Sequence, residues 1–505
     1  MTSKSSSHIV NALLIYPEIP DTFWSFKHAL MFVGKKVSSP PLGLATIAAM
    51  LPENWNLRLA DLNIRGLSPD DLRWADYALI SAMTVQRESS RRTIRTCKNA
   101  GLTVVAGGPL FTVEPENFSE VDHLVLNEAE LTLPEFLRDL DSGRARQIYS
   151  TDSYADMRET PAPRWDLLEL NQYATMSVQY SRGCPFNCEF CNVTALLGHT
   201  PRTKSADQVI VELDSLYAQG WRGGIFFVDD NLIGNKQRVK TELLPALIDW
   251  RKDKKGVPFG TEASINMADD EELLTLMSKA GFDSVFIGIE TPNEKSLAQC
   301  GKGQNLHRDL IQDVKRIQRG GIQVQGGFIV GFDQDDSDIF SRLVEFIQKS
   351  GIVTAMVGLL QAPPGTRLFD RLKQAGRLRE CISGDNVDGT TNILPVMPLQ
   401  LLRDGYKDIL KNIYSPKAYY QRVITFLREY DPSACSYQWH IRNFSESMLA
   451  LARSMIRLGI LGRERLQYWK LFFWTLFRRP RALPLAVTLA IYGYHFRRVC
   501  ELRVL

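Results

Sequence analysis

Two series of short apolar runs, each run followed by a helical pattern, constrain this chain more than any other feature. In the first series, residues 11–17, 57–63, 77–83, 102–108 and 123–127 read as strands, with helical stretches such as 42–51 and 87–99 between them. Near-continuous apolar strands separated by helices predict a parallel sheet covered on both faces. Ligands of such open sheets bind beyond the C-terminal ends of the strands. At that edge Ala106-Gly107-Gly108-Pro109 offers the smallest side chains, which lets the backbone approach a bulky ligand closely.

The second series follows an extended segment, Thr160-Pro161-Ala162-Pro163-Arg164-Trp165. Its strands are 176–182, 224–229, 258–265, 284–290, 324–330 and 355–360, with helical patterns at 206–219, 240–252, 269–280, 306–319 and 338–349. Six βα units predict a full or partial barrel with its chemistry at the C-terminal strand ends. Polar residues stand there: Arg182 and several cysteines after the first strand, Asp229-Asp230-Asn231 after the second, Glu262 on the third and Glu290 ending the fourth. From about Pro398 the alternation gives way to helical patterns. The chain therefore reads as α/β: an N-terminal Rossmann-like parallel sheet (8–150), a linker (151–172), a partial (βα)6 TIM-type barrel (173–385) and a helical C-terminal region (386–505).

Composition agrees with three such regions. Of 505 residues, 44% are hydrophobic and 23% charged, values ordinary for a globular protein and foreign to collagen-like or disordered chains. The first eight residues are polar and show no signal peptide. A reducing cytoplasm is thus the expected setting, where clustered cysteines serve as metal ligands in preference to disulfides.

Three of the eight cysteines fall within Ser181-Arg182-Gly183-Cys184-Pro185-Phe186-Asn187-Cys188-Glu189-Phe190-Cys191, at spacing C-x3-C-x2-C. Three thiolates on one loop can each hold an iron of a cubane cluster and leave one iron open to another ligand. A zinc loop completed by His199, or a redox pair of Cys188 and Cys191, are the competing readings. Cys97, Cys300, Cys381, Cys435 and Cys500 are scattered singly and read as buried or incidental.

The pattern C-x3-C-x-aromatic-C, with Phe190 as the aromatic, resembles the signature of the radical S-adenosylmethionine (SAM) enzymes, and the resemblance covers most of residues 175–370. It implies a 4Fe-4S cluster on Cys184, Cys188 and Cys191, whose open iron chelates SAM. Reductive cleavage then gives a 5′-deoxyadenosyl radical that abstracts hydrogen. By similarity, Phe190 lies near the adenine, and Asp229 and Asp230 contact the SAM amino group. Glu262, Glu290 and the run Gly326-Gly327-Phe328-Ile329-Val330-Gly331 are further SAM-site candidates, although Glu290 could equally cap a strand and the glycines turn the chain.

The N-terminal domain resembles the cobalamin-binding architecture of the radical SAM methylases. Ser81-Ala82-Met83, Gly107-Gly108-Pro109 and Asn127-Glu128-Ala129-Glu130 match its strand-end motifs, so Ser81, Gly107, Gly108, Pro109, Asn127 and Glu128 are the cobalamin candidates. The chain lacks a D-x-H-x-x-G motif, and His28 does not fit one, which implies a cobalamin without a histidine on its lower face. A docking domain that has lost its cofactor is the alternative. Pro40-Pro41-Leu42-Gly43-Leu44 and Ala362-Pro363-Pro364-Gly365-Thr366 are also typical of the group. The layout is similar to the hopanoid methylases and to the methylases of bacteriochlorophyll side chains.

The resemblance implies a C-methyltransferase acting on an unactivated carbon of a hydrophobic small molecule, a polycyclic lipid or a tetrapyrrole, through methylcobalamin. It needs no protein nucleophile beyond the cluster ligands, and a low-potential donor such as a flavodoxin or ferredoxin. A cobalamin-dependent oxidase or cyclase without methyl transfer is the alternative enzyme, and a metal-binding sensor the non-enzyme reading. A methylthiotransferase needs a second N-terminal cluster, yet only Cys97 precedes Cys184.

The net charge of +3 is unevenly spread: residues 440–505 hold twelve Lys and Arg against three Glu, on an otherwise acidic chain. Gln467-Tyr468-Trp469-Lys470-Leu471-Phe472-Phe473-Trp474 leads into Arg478-Arg479-Pro480-Arg481 and an apolar run, 482–494. That run is short of the roughly 20 residues a spanning helix needs. The tail reads either as a helical subdomain packed on the barrel or as an interfacial element that gives a cytoplasmic protein a peripheral membrane contact. No nucleic-acid module accompanies the charge.

Overall fold

The computed structural model of the protein describes residues 9–254, 256–379, 382–385, 387–431 and 444–504. Cys381 and Cys435 lie outside them. The chain divides into two compact units, one built from residues up to 20, 40–172 and 214–220, the other from 21–39, 173–213 and the residues from 221 onward.

The first unit holds a six-stranded sheet: β1 (Asn11–Tyr16), β2 (Asn56–Asp61), β3 (Tyr77–Ser81), β4 (Thr103–Gly107), β5 (His123–Val125) and β6 (Ile148–Tyr149). Every pairing is parallel, in the order β2-β1-β3-β4-β5-β6. Side chains alternate between two buried layers, as the pleat requires. Leu13 and Ile15 join Ile80, Val104, Ile94 and Phe111 on one face, while Ala12 and Leu14 join Leu79, Val105, Leu44 and Phe136 on the other. The order reverses between β1 and β3, the switch point at which such sheets bind ligands. The five expected strands are all present; β6, two residues long, is too short to leave a periodic signal.

In the second unit, β7 (Thr175–Val178), β10 (Gly224–Phe227), β11 (Phe259–Glu262), β12 (Phe282–Glu290), β13 (Gln323–Val330) and β14 (Ala355–Leu359) form the second sheet, and β8 (Ser181–Arg182) pairs antiparallel with β9 (Arg202–Thr203). The six strands run parallel in the order β14-β13-β12-β11-β10-β7, with β7 and β14 as its two edges: a partial barrel. Two of its helices start at side-chain caps, Asp270 for Glu271–Ala280 and Thr366 for Arg367–Gln374. The expected first strand, 176–182, breaks after Val178. The Asp229 carboxylate takes the N–H groups of Tyr180 and Ser181 there.

Helices Leu399–Ile413, Pro416–Glu429, Phe444–Ser454, Arg465–Arg478 and Leu483–Arg503 complete this unit. Arg422, fully buried, donates to Gln348 Oε1 (2.6 Å) and the carbonyls of Ile413 and Val353 (3.0 and 3.3 Å), tying the helices to the barrel. Segment 21–39 belongs here too, which divides the expected 8–150 domain. Phe23 stacks on Phe496 (4.1 Å between centroids), and the Thr175 N–H donates to the Ser38 carbonyl at 2.9 Å. Among the described residues, no helix is long and apolar enough to cross a membrane.

Candidate functional site

The cysteine loop leaves the barrel through Gly183, whose φ of +91° disfavours other residues and whose Cβ position lies 2.8 Å from the Thr200 carbonyl oxygen. The side-chain amides of Asn231 and Gln304 stand 3.9 and 3.8 Å from the sulfurs of Cys184 and Cys188. Burial raises the Cys184 thiol and pushes that of Cys191 up to about 12. Among the described residues, no three His, Cys, Asp or Glu side chains converge closely enough to hold a single ion. A cubane instead spreads its thiolate ligands over separate irons. His199 is exposed. An open cavity of about 400 Å³ lies beside the loop, lined in part by Pro185, Phe186, Pro201, Ile233 and Lys236.

Among the described residues, Lys302 answers the sulfurs. Lys302, its side chain 13% exposed, bonds Glu290 Oε1 at 2.7 Å. Burial alone would lower its ammonium group, but Glu290 and the sulfurs of Cys188 and Cys191 raise it well above the lysine range. Glu290 ends β12 at a φ of 64°, a left-handed conformation rare outside glycine. Asn305 braces that turn by donating to the carbonyls of Gly288 and Ile289, both at 3.1 Å.

The acidic residues divide by role. Asp229 is fully buried, and its oxygens receive the N–H of Tyr180 (3.1 Å), the hydroxyl of Ser181 (2.5 Å) and the Ser181 N–H. Burial still holds its carboxyl up at about 7. Asp230 differs: its Oδ2 is buried with no hydrogen-bond partner, and burial lifts the group to about 6. Glu262 feels burial and both aspartates, which push it to about 8. Phe190 sets its ring edge-on against Phe332 (6.1 Å), just beyond β13. The glycine run 326–331 occupies the end of that strand, where Gly331 N–H and Phe332 N–H donate to Asp335 Oδ2 at 2.9 and 3.1 Å.

Two residues escape the sequence reading. Lys302 sits in Gly301-Lys302-Gly303-Gln304, which carries no periodic signal. Trp24 lies on segment 21–39, meets Phe286 edge-on at 5.2 Å and donates from Nε1 to Met356 Sδ at 2.9 Å. Phe286 is the register partner of Glu262. The aromatic density of Phe23-Trp24-Ser25-Phe26 was the only available signal.

In the first unit, the cobalamin candidates share the C-terminal edge of the sheet. Gly108 adopts φ +88°, and a Cβ there would lie 2.6 Å from Ser81 Oγ, while one on Gly107 would lie 2.5 Å from the Val125 carbonyl oxygen. Pro109 opens the short helix Pro109–Val113, and Leu110 N–H donates to the Ala82 carbonyl at 3.0 Å. Asn127, at φ 62°, donates its N–H to Thr112 Oγ1 (3.0 Å). The carboxylates beyond it are taken up by the following segment: Glu128 accepts from Ala155 N–H at 2.6 Å and Glu130 from the Thr160 hydroxyl at 2.8 Å. His28 bonds Asp21 Oδ2 at 2.8 Å and belongs to the second unit.

The residues present suit the groups implied by the motifs. Three thiols with amide donors at two sulfurs suit an anionic cluster. The unpartnered Asp230 oxygen suits an ammonium group, and the half-buried ammonium of Lys302 suits a carboxylate. An edge of small residues and backbone suits a broad planar ligand.

Residues 36–137 match the B12 binding domain, 178–347 the radical SAM superfamily and 366–504 a domain of unknown function (DUF4070). The chain is 40% identical over 498 residues to an uncharacterized methyltransferase of Synechocystis sp., covering 98% of this chain and 92% of that one. It is 33% identical over 482 residues to the hopanoid C-2 methylase of Rhodopseudomonas palustris, covering 93% and 90%. The solved structure of the cobalamin-dependent SAM radical enzyme OxsB shares the fold, with a TM-score of 0.60 at 14% identity over 98% of this chain and 81% of that one.

Proposed function

The chain belongs to the cobalamin-dependent radical SAM methyltransferases, and from that premise we propose that it methylates an unactivated carbon of a polycyclic lipid. When bound, the cluster with SAM supplies hydrogen abstraction, and cobalamin supplies the methyl group.

The chain's own residues have the following parts in this reading. Cys184, Cys188 and Cys191 hold the cluster, with Asn231 and Gln304 donating to the sulfurs. Asp230, Glu262 and Glu290 face SAM together with Phe190, and Lys302 meets its carboxylate. Asp229 acts through Ser181 by holding the entry to the cysteine loop. Ser81, Gly107, Gly108, Pro109, Asn127 and Glu128 shape the cobalamin edge, the last two by fixing the backbone. Trp24, Phe286 and Met356 offer a substrate apolar, weakly polar surface that positions it and excludes water. A low-potential flavodoxin or ferredoxin provides the electron.

The observation that carries the reading is the thiol loop with the half-buried ammonium of Lys302 and the unpartnered carboxylate oxygen of Asp230. The choice of a polycyclic lipid rests on the relation to the hopanoid C-2 methylase. The test is anaerobic reconstitution with iron, sulfide and methylcobalamin, then reaction with SAM, a reductant and extracted polycyclic lipids. A methylated lipid is expected, with both S-adenosylhomocysteine and 5′-deoxyadenosine. Formation of 5′-deoxyadenosine with no S-adenosylhomocysteine overturns methyl transfer, and a methylated tetrapyrrole with no methylated lipid overturns the substrate class.

A further inference from the structure

We propose that the outer face of residues 456–481 is a docking surface for an anionic lipid bilayer. Helix Arg465–Arg478 buries Tyr468, Leu471 and Thr475 and turns Leu466, Lys470, Phe473 and Phe477 outward, one side of a 3.6-residue helix. Leu466 and Phe477 are 78% and 79% exposed, and Leu461, just before the helix, is 75% exposed. Large apolar side chains grouped this openly mark a surface that meets something less polar than water.

The charges say what that is. Residues 455–485 contain seven Lys and Arg and one acid, Glu464. Glu464 is buried and paired with Arg497, so its charge is spent internally. Arg457 and Arg479 are also engaged, with the Tyr494 hydroxyl (3.2 Å) and with the Tyr430 and Arg428 carbonyls (3.2 and 2.7 Å). Arg463, Arg465, Lys470, Arg478 and Arg481 remain exposed and pair with no acid among the described residues. The face is therefore apolar and positive with no exposed carboxylate. Bilayer headgroups supply the complementary negative charge while their acyl boundary accepts the Leu and Phe side chains. Two copies of the face would repel each other, and nucleic acid offers no apolar phase for Leu461, Leu466 and Phe477. This inference does not rest on the catalytic reading, although a lipid-bound enzyme would meet a water-insoluble substrate where it resides.

The test is flotation of the full chain with vesicles of phosphatidylcholine alone or mixed with phosphatidylglycerol. The wild-type chain is expected to float with the mixed vesicles at low salt and to be released at high salt. The double variants Phe473→Ser/Phe477→Ser and Lys470→Glu/Arg478→Glu are each expected to lose at least about tenfold in vesicle affinity. These side chains are exposed, so melting temperature and cluster content should stay at wild-type values. Absence of flotation with phosphatidylglycerol, or equal flotation of the variants, overturns the proposal. So does a wild-type dimer that ignores vesicles and that Phe473→Ser/Phe477→Ser dissociates, which would make a second copy the occupant.

Discussion

The Asp229 carboxylate receives both the hydroxyl and the backbone N–H of Ser181, across 48 residues of sequence, and so pins the end of β10 to the entry of the cysteine loop. Asp229→Asn keeps the shape but turns an NH2 group toward N–H donors. A loss of about 1–3 kcal/mol is expected from leaving a buried donor unpaired, with less iron bound per chain after reconstitution. Chemical denaturation and iron analysis check this. Unchanged iron content would mean that the loop is held by other contacts.

Cys188 and Cys300 make a matched pair of substitutions. Cys188 lies on the loop with the Gln304 amide beside its sulfur, whereas Cys300 is fully buried among Phe332, Leu360 and Leu368. Cys188→Ala should abolish the cluster's absorption and SAM cleavage. Cys300→Ala should keep both and lose about 1–2 kcal/mol of stability by opening a small cavity. A cluster retained in Cys188→Ala would remove the basis of the site.

The strands and the cysteine loop were legible because their signals are local: near-continuous apolar runs of fixed length, and three thiols within eight residues. The rest of the site depends on pairings that sequence does not display. Lys302 is defined by an ion pair twelve residues upstream, and Trp24 by a methionine 332 residues downstream. Asp229 is legible as an acid after the second strand, but its bonds to Tyr180 and Ser181 are not. The acids of Asn127-Glu128-Ala129-Glu130 likewise turn to residues 155–160, contacts that no periodicity encodes.

The Lys302–Glu290 pair predicts an asymmetric response. Lys302→Met leaves a buried carboxylate without its cation and removes the ammonium assigned to SAM. At least a tenfold weakening of SAM binding is expected with the cluster retained. Equilibrium dialysis with iron analysis on the same samples separates the two effects. Wild-type affinity for SAM in Lys302→Met would show that the carboxylate binds elsewhere.

Trp24→Ala removes an aromatic face from Phe286 and a donor from Met356 while touching no assigned cofactor ligand. Cluster content and SAM binding should remain, with methylation of substrate reduced about tenfold or more, as expected when a positioning contact is lost. Undiminished methylation would restrict Trp24 to packing.

The last prediction concerns acid. His495 is fully buried; its Nε2 donates to the Phe23 carbonyl (2.9 Å) while Nδ1 accepts the His28 N–H (3.3 Å), an arrangement that only the neutral ring satisfies. Burial lowers its pKa to about 4. The unfolded chain therefore binds the proton first as pH falls from about 6.5, and stability is present above that pH and lost progressively toward pH 4. The shift corresponds to a loss on the order of 3 kcal/mol across the window. Segment 21–39 should loosen first, since His495 holds its backbone at Phe23 and His28. Thermal melts between pH 7.5 and pH 4.5 should show the wild type losing stability more steeply than His495→Gln, whose amide can donate and accept without titrating. Parallel slopes would place the acid sensitivity on other groups.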